Sequence, residues 1–340
     1  MPKTYDVAVV GATGLVGETM IQVLEERSFP VGRLYALASD RSLGRTVKFR
    51  GETVPVQALK DFDFEKTQIA LFSAGGSVSA EHAPKAVAAG NVVIDNTSHF
   101  RYDEDIPLVV PEVNRQRIAD YTNRGIVANP NCSTIQLVVA LKPIHDAVGI
   151  ERINVATYQS VSGAGRTALD TLTEHTRQIL AGLDPVVRGN AKWVAFNVVP
   201  HIDQFMDTGY TKEEMKMIWE TRKILEAPKI MVNPTAARVP VYYGHSEAVH
   251  IETRTKITVG EVQKLLNSAP GVVVIDGREL GAYPTAATDA AGRDAVFVGR
   301  IREDLSHERG IDLWIVSDNV RKGAATNSVQ IAEILANDFM

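Results

Sequence analysis

The segment Tyr5–Val10 is an apolar run broken only by Asp6, and Gly11-Ala12-Thr13-Gly14-Leu15-Val16-Gly17 follows it at once. A helical pattern over Leu15–Arg27 comes next. A buried strand entering a helix through small residues fits the first βα turn of a doubly wound parallel sheet. There the main chain can approach a pyrophosphate, and the helix N-terminal N–H groups and dipole stabilise its charge. The spacing is G-x-x-G-x-x-G, and an ordinary tight βα turn uses the same residues. Its place in the very first βα turn favours dinucleotide binding.

The rhythm continues. Arg33–Ser39, Ile69–Ser73, Asn91–Asp95 and Ile126–Asn129 read as buried strands, and Ser77–Ala89 as an alanine-rich helix. Apolar strands separated by helices indicate a parallel sheet covered on both faces. After Asn131 the pattern changes. Cys132–Val148 reads as a helix with Asn131 at its N-cap. Arg152–Val161 follows as a strand, then helices over Thr167–Ala181 and Lys212–Glu226. Strands are expected over Ala236–Tyr242, Glu247–Ile257, Val272–Ile275, Ala295–Ile301 and Ile311–Ser317, before a helical tail over Arg321–Asn337. Polar alternation in these strands suits a largely antiparallel sheet with one face free for a partner subunit.

The 340 residues exceed one compact core and suit two domains. The expected fold class is α/β: a Rossmann-type dinucleotide-binding domain over 1–131, completed by a C-terminal helix of 320–340, and an α+β catalytic and dimerisation domain over 132–319. A net charge of -5 gives no reason to expect nucleic acid or an anionic membrane as partner. No apolar run reaches the roughly 18 residues of a membrane span. Val7–Val10 is too short for a signal-peptide core, so the cytoplasm is expected. With Cys132 as the one cysteine, an internal disulfide and a Cys-rich metal site are both excluded, and no metal is expected.

The end of the second strand reads Ala38-Ser39-Asp40-Arg41-Ser42. Arg41 with the Ser39 and Ser42 hydroxyls suits a ribose 2′-phosphate, hence NADP. Asp40 argues for NAD if its carboxylate turns inward; Arg41, taken alone, reads better as a solvated loop charge. Cys132 follows Asn129-Pro130-Asn131 in the first turn of its helix, where the dipole favours thiolate. An inert core cysteine is the competing reading. A cysteine nucleophile needs an acid/base partner. His245, after Gly244 beyond a strand, stands out, with His99, His201 and His250 as rivals.

The ordered set Gly11–Gly17, Phe100-Arg101, Asn131-Cys132-Ser133, Gln159 with Ser162-Gly163-Ala164-Gly165, Glu213–Lys216, Arg238-Val239-Pro240-Val241 and His245 resembles the aspartate-semialdehyde dehydrogenase family over nearly the whole chain. Pro107–Asn114, Ala195-Phe196-Asn197 with Pro200-His201, and Ser317-Asp318-Asn319 through Glu333 extend it. The resemblance implies Cys132 as nucleophile, His245 as acid/base and Gln159 as the group orienting substrate at the thiol. It implies Arg101 and Lys216 on phosphate, Arg238 on the α-carboxylate and Glu213 on the α-ammonium, with Asn131 beside the substrate. Cofactor contacts are implied at Gly11, Thr13, Gly14, Leu15, Val16, Gly17, Ser39, Arg41, Ser42, Ser73, Gly75, Ser162, Gly163 and Asn319. The implied reaction is NADPH-dependent reduction of aspartyl phosphate to aspartate semialdehyde through a thioester, in a homodimer.

The residue types fit those roles: a bidentate Arg matches a carboxylate, Lys a phosphate, and a carboxylate an ammonium. Glu213 and Lys216, three apart, share a helix face, although a surface ion pair has the same spacing. His99, Asp40 and Lys192-Trp193 depart from the family pattern. Two alternatives stay open, N-acetyl-γ-glutamyl-phosphate reductase and a non-catalytic NADP-binding redox sensor. The first has no free ammonium for Glu213, and glyceraldehyde-3-phosphate dehydrogenase matches the Cys132 and His245 motifs poorly.

Overall fold

A computed structural model of the chain describes residues 3–189 and 191–340; Met1 and Pro2, at the start of the N-terminal segment, lie outside the described residues. Two compact units divide the chain, one running to Asn131 and taking in Ala324–Met340, the other Cys132–Gly323.

The first unit holds β1 (Tyr5–Val10), α1 (Leu15–Glu26), β2 (Val31–Ala38), β3 (Thr46–Phe49), β4 (Glu52–Ala58), β5 (Ile69–Phe72), α2 (Gly76–Ala88), β6 (Val92–Asp95), α3 (Pro111–Asn114) and β7 (Ile126–Ala128). Its seven strands lie in the order β3-β4-β2-β1-β5-β6-β7. All pairings are parallel except that of edge strand β3 with β4. Every residue of β5 and β6 is buried, which explains their apolar sequences; the exception, Asp95 at the end of β6, accepts hydrogen bonds from Ser79 and Thr97. At the end of β1, Gly11 and Ala12 both donate to the Leu37 carbonyl, at 2.8 and 3.1 Å, so the chain turns tightly. A Cβ on Gly17 would stand 2.2 Å from the Gly11 oxygen, so only glycine lets α1 pack this close.

The hairpin β3–β4 was not expected from the sequence. Arg50 and Gly51 turn it, with φ of 50° and 77°. Two left-handed residues are what a two-residue hairpin needs, but Arg-Gly is a weak signature for one. The tail helix belongs to this unit. Ala325, just before it, and its Val329, Ile331 and Leu335 join the core with Val7, Ile21 and Phe29, and Asn327 donates to the Val109 carbonyl at 3.0 Å.

The second unit contains α4 (Cys132–Val148), β8 (Ile150–Gln159), α5 (Arg166–Leu180), α6 (Lys212–Ile224), β9 (Met231–Arg238), β10 (His245–Thr253), α7 (Val259–Ser268), β11 (Val272–Val274), β12 (Val296–Glu303) and β13 (Gly310–Ser317). The tail helix, α8, spans Thr326–Asp338 and follows a π turn at Arg321–Ala325. The six strands run β11-β12-β13-β10-β8-β9. Three of the five pairings are antiparallel, and β8–β9 and β11–β12 are parallel. The expected strand Ala236–Tyr242 instead covers Met231–Arg238. Pro234 hides its first half in the sequence, yet β9 is an edge strand, where a missing N–H is tolerated.

Strand β10 alternates: His245, Glu247, Val249 and Ile251 point inward, whereas Ala248, His250 and Glu252 are half-buried on the other face. Glu247 is fully buried, and burial pushes its carboxyl well above the usual range; the Gln136 amide offsets this only in part. A folded-state pKa raised above the unfolded one stabilises below the unfolded value and loses that contribution as pH rises. Glu247→Gln is therefore expected to unfold at a higher temperature than the parent above neutral pH, with the gap closing towards pH 5. Thermal melts across that range check it, and a gap that widens on acidification would contradict the buried, protonated carboxyl.

Candidate active site

Strand ends assemble the site in the second unit. β8 and β9 run parallel with Gln159 opposite Arg238. β10 runs against β8 and β13, and His245 lies opposite Ser317. The C-terminal ends of β8, β9 and β13 therefore meet the N-terminal end of β10, gathering Gln159, Ser160, Arg238, His245 and Asn319. Gly244, with φ of 89° and packed on Ala286, makes the turn into His245.

Cys132 opens α4, a 17-residue helix, and its Sγ lies 3.2 Å from His245 Nε2. Among the rival histidines, His250 contacts Asp312 on the opposite face of β10 at 3.0 Å. His201 stacks on Phe205, and His99 packs edge-on against Phe100 in the first unit. His245 is fully buried, and its imidazole is pushed down to about 3. Burial is the main cause and the Arg238 charge the second; together they outweigh Glu213 and a main-chain contact with Gly244.

Gln159 is oriented from both sides. Its amide nitrogen donates to Glu213 Oε1 at 3.1 Å, and its oxygen accepts from Thr157 at 3.2 Å. The same nitrogen lies 3.3 Å from His245 Nε2. Arg238 donates to the Ser160 carbonyl at 2.6 Å. Burial lowers its pKa, with Glu213 and Cys132 pulling the other way, but a guanidinium remains a cation.

Glu213 and Lys216 come from the start of α6, whose position a capping box fixes. Thr211 N–H donates to Glu214 Oε2 at 2.7 Å, and Glu214 N–H to Thr211 Oγ1 at 3.3 Å. The second Glu214 oxygen takes the Ala236 N–H at 2.9 Å, tying α6 to β9. Lys216 Nζ then reaches Glu213 at 3.0 Å and Asp203 at 2.8 Å. Burial works against its charge, but the two carboxylates outweigh it and hold the ammonium above its usual range. This pair joins a buried carboxylate to a half-buried ammonium and is not the surface pair that the spacing alone allowed. Asp203 gave no local signal in the sequence, since its role rests on a contact thirteen residues away.

Glycines shape the rest. A Cβ on Gly163 would lie 3.2 Å from Arg238 Nη1 and 3.4 Å from His245 Cε1. One on Gly323 would lie 2.8 Å from the Cys132 Cβ and 3.2 Å from its Cα. Gly323 was missed because the tail reads as a plain helix there. Ser162 and Asn319 join the same cluster, their side chains 3.1 Å apart.

In the first unit Gly11, Thr13, Gly14, Ser39, Arg41, Ser42 and Ser73 line one cavity of about 910 Å³, together with Asp40, Arg45, Lys60 and His82. Thr13 and Ser42 hydroxyls are 3.1 Å apart. Asp40 is turned to Lys60, its carboxylate 2.6 Å from Nζ. Leu15, Val16 and Gly17 form the first turn of α1, and Gly75 precedes α2 with φ of 101°. Arg101, also in this unit, is buried and donates to the Asn96 carbonyl at 2.9 Å. Asn131, buried, ends the unit beside Cys132 in sequence. Among the described residues no group of His, Cys, Asp or Glu could hold a metal ion, and no helix is long and apolar enough to cross a membrane.

Two family models match, the semialdehyde dehydrogenase NAD-binding domain over residues 6–121 and the semialdehyde dehydrogenase dimerisation domain over 141–322. The aspartate-semialdehyde dehydrogenase of Legionella pneumophila is 62% identical over all of this chain and 98% of its own length. The chain belongs to the aspartate-semialdehyde dehydrogenase family. Its activity is that of an NAD(P)-linked oxidoreductase of aspartate-family amino-acid biosynthesis. Crystal structures of aspartate semialdehyde dehydrogenase II from Vibrio cholerae, one of them complexed with ASA, superpose with a TM-score of 0.97 at 59% identity. They cover 99% of this chain and 100% of theirs. The Candida albicans aspartate semialdehyde dehydrogenase with NADP is similar at a TM-score of 0.75 and 26% identity, over 99% of this chain and 100% of that one.

Because the Gly323 clash is with main chain and Cβ, it cannot be relieved by a rotamer change. Gly323→Ala should move the sulfur and cost about 10²-fold in kcat, as misplacement by an ångström does. Affinity for the dinucleotide should be unchanged. Steady-state kinetics beside NADPH fluorescence titration measures both, and wild-type turnover would show that Cys132 does not need its present position.

Proposed function

We propose that this chain reduces L-4-aspartyl phosphate to L-aspartate 4-semialdehyde with NADPH, by way of a thioester on Cys132. The Cys132–His245 contact of 3.2 Å, in a cluster with the Arg238 guanidinium and the buried Glu213 carboxylate, is the observation that carries this reading. In the synthetic direction the Cys132 thiolate bonds to the β-acyl carbon as the carbon–oxygen bond to phosphate breaks. Gln159 orients the acyl group, Arg238 takes the α-carboxylate and Glu213 the α-ammonium. Lys216 and Arg101 hold phosphate, and Asn131 supports the substrate beside the thiol. NADPH supplies the hydride when bound. His245 serves the proton relay as the aldehyde leaves and the thiolate returns.

The ammonium role of Glu213 favours a free amino acid over an N-acetylated one. A sensor without turnover would need neither the oriented Gln159 nor the half-buried Arg238. Residues 1–131 with the tail from 324 act as the NADP domain, and 132–323 as the catalytic and dimerisation domain, a boundary four residues later in the chain than the one expected at 319/320.

The cofactor cavity fits the dinucleotide with the extra phosphate. Arg41 is joined there by Arg45 and Lys60, and the carboxylate that would favour NAD is held by Lys60. Ser39 and Ser42 add hydroxyls, while Gly11, Thr13, Gly14, Leu15, Val16, Gly17, Ser73 and Gly75 line the pyrophosphate approach. Ser162, Gly163 and Asn319 serve the nicotinamide end. A homodimer joined through the second unit agrees with a sheet face bearing Tyr158, His250 and Trp314, and the lack of a membrane-spanning helix among the described residues agrees with a cytoplasmic enzyme.

The test is phosphate-dependent NADPH formation from aspartate semialdehyde, run beside NAD and beside N-acetylglutamate semialdehyde. Turnover on aspartate semialdehyde with NADP is expected, and Arg41→Ala should raise KM for NADP by about tenfold or more with little change for NAD, the loss of one charge-assisted hydrogen bond. Preference for the acetylated aldehyde would overturn the Glu213 assignment, and equal losses with both dinucleotides would overturn that of Arg41.

A further inference from the structure

The imidazole of His245 is held at both ring nitrogens, and the two sides differ in kind. Nδ1 faces the main-chain N–H of Ser160 at 3.1 Å. An amide N–H can only donate, so Nδ1 must offer its lone pair. A neutral ring with a lone pair on Nδ1 carries its proton on Nε2. The Ser160 hydroxyl, also 3.1 Å from Nδ1, is 2.9 Å from Asn319 Oδ1. That same oxygen accepts from Ser162 Oγ at 3.1 Å and from the Gly244 N–H at 3.0 Å. Asn319 therefore gathers the residue before His245 and the residue behind its ring into one buried array.

On the other side, Nε2 faces Cys132 Sγ and the amide nitrogen of Gln159. Gln159 cannot present its oxygen there, because Glu213 requires the amide as donor. The Gln159 amide is engaged by Glu213, so the acceptor available to a proton on Nε2 is the Cys132 sulfur, an arrangement that suits a thiolate. The charged groups around the ring are Arg238, Glu213 and, when ionised, Cys132. Arg238 is anchored on the carbonyl of the same Ser160 whose neighbouring N–H holds the ring.

We propose that Ser160 is a positioning residue whose main-chain N–H, braced by Asn319, fixes His245 as the neutral Nε2–H tautomer. In the resting enzyme the ring then donates to the Cys132 sulfur and does not store the thiol proton. The depressed pKa of the ring, lowered by burial and then by the Arg238 charge, agrees with a neutral imidazole. A neutral imidazole of this kind stabilises developing negative charge by donation, without first becoming a cation. The thiolate is then favoured by Nε2–H, Arg238 and the α4 N-terminus together.

The inference rests on the Cys132–His245 reading of the site but is tested apart from turnover. Full-length enzyme labelled with ¹⁵N-histidine is examined by long-range ¹H–¹⁵N correlation between pH 6 and 8, with His245→Asn used to assign the ring. An unprotonated Nδ1 and a protonated Nε2 are expected throughout. Ser160→Ala keeps the main-chain N–H, so the same tautomer is expected, with kcat reduced by about fivefold, as for one ordinary hydrogen bond. A proton on Nδ1 in the parent, alone or as part of an imidazolium, would overturn the proposal. A changed tautomer in Ser160→Ala would overturn the role given to the main chain. Failure of aspartate semialdehyde as a substrate would leave the spectrum, and this assignment, unaffected.

Discussion

The approach of the Cys132 sulfur to His245 Nε2 is the constraint on which the second unit is organised. Neither residue can be placed by its own element. Cys132 begins a helix and has Gly323 packed on its Cα and Cβ, whereas His245 begins a strand entered through a left-handed glycine. The mixed sheet makes their meeting possible. Parallel pairing of β8 with β9 and antiparallel pairing of β10 with β8 and β13 bring three strand ends and one strand start to the same edge. A fully antiparallel sheet would send Arg238 or Gln159 to the far end.

Burying so many charges has to be compensated, since a lone desolvated ion is costly. Lys216 sits between Glu213 and Asp203, Glu213 also holds Gln159, and Arg238 leans on a carbonyl. Glu214 is used up in a helix cap and a strand N–H. His245 meets the same problem differently, by remaining neutral. The pocket therefore keeps a cation for a carboxylate and an anion for an ammonium without collapsing them onto each other: Arg238 is tied to Ser160, and Glu213 to Gln159 and Lys216.

Much of this was legible in the sequence, for physical reasons. The parallel sheet of the first unit announces itself because strands buried on both faces must be apolar throughout, and the helix from Cys132 to Val148 was expected at the bounds it has. What stayed hidden depends on partners distant in the chain. Nothing local says that Asp40 turns to Lys60, that Asp203 completes the Lys216 pair, or that Gly323 touches Cys132. Two signals were present but weak or unread. The Arg50-Gly51 turn lacks the usual Asn or Asp, and Thr258 with Glu261 forms a capping box that starts α7.

A covalent route through Cys132 is the central claim, and trapping the acyl enzyme tests it most directly. Enzyme mixed with aspartyl phosphate in the absence of NADPH, quenched in acid and digested, should carry one aspartyl unit on the peptide containing Cys132. The adduct should disappear when NADPH is added before the quench. An unmodified Cys132 peptide under conditions of full turnover would contradict the thioester and return this cysteine to the status of a packing residue.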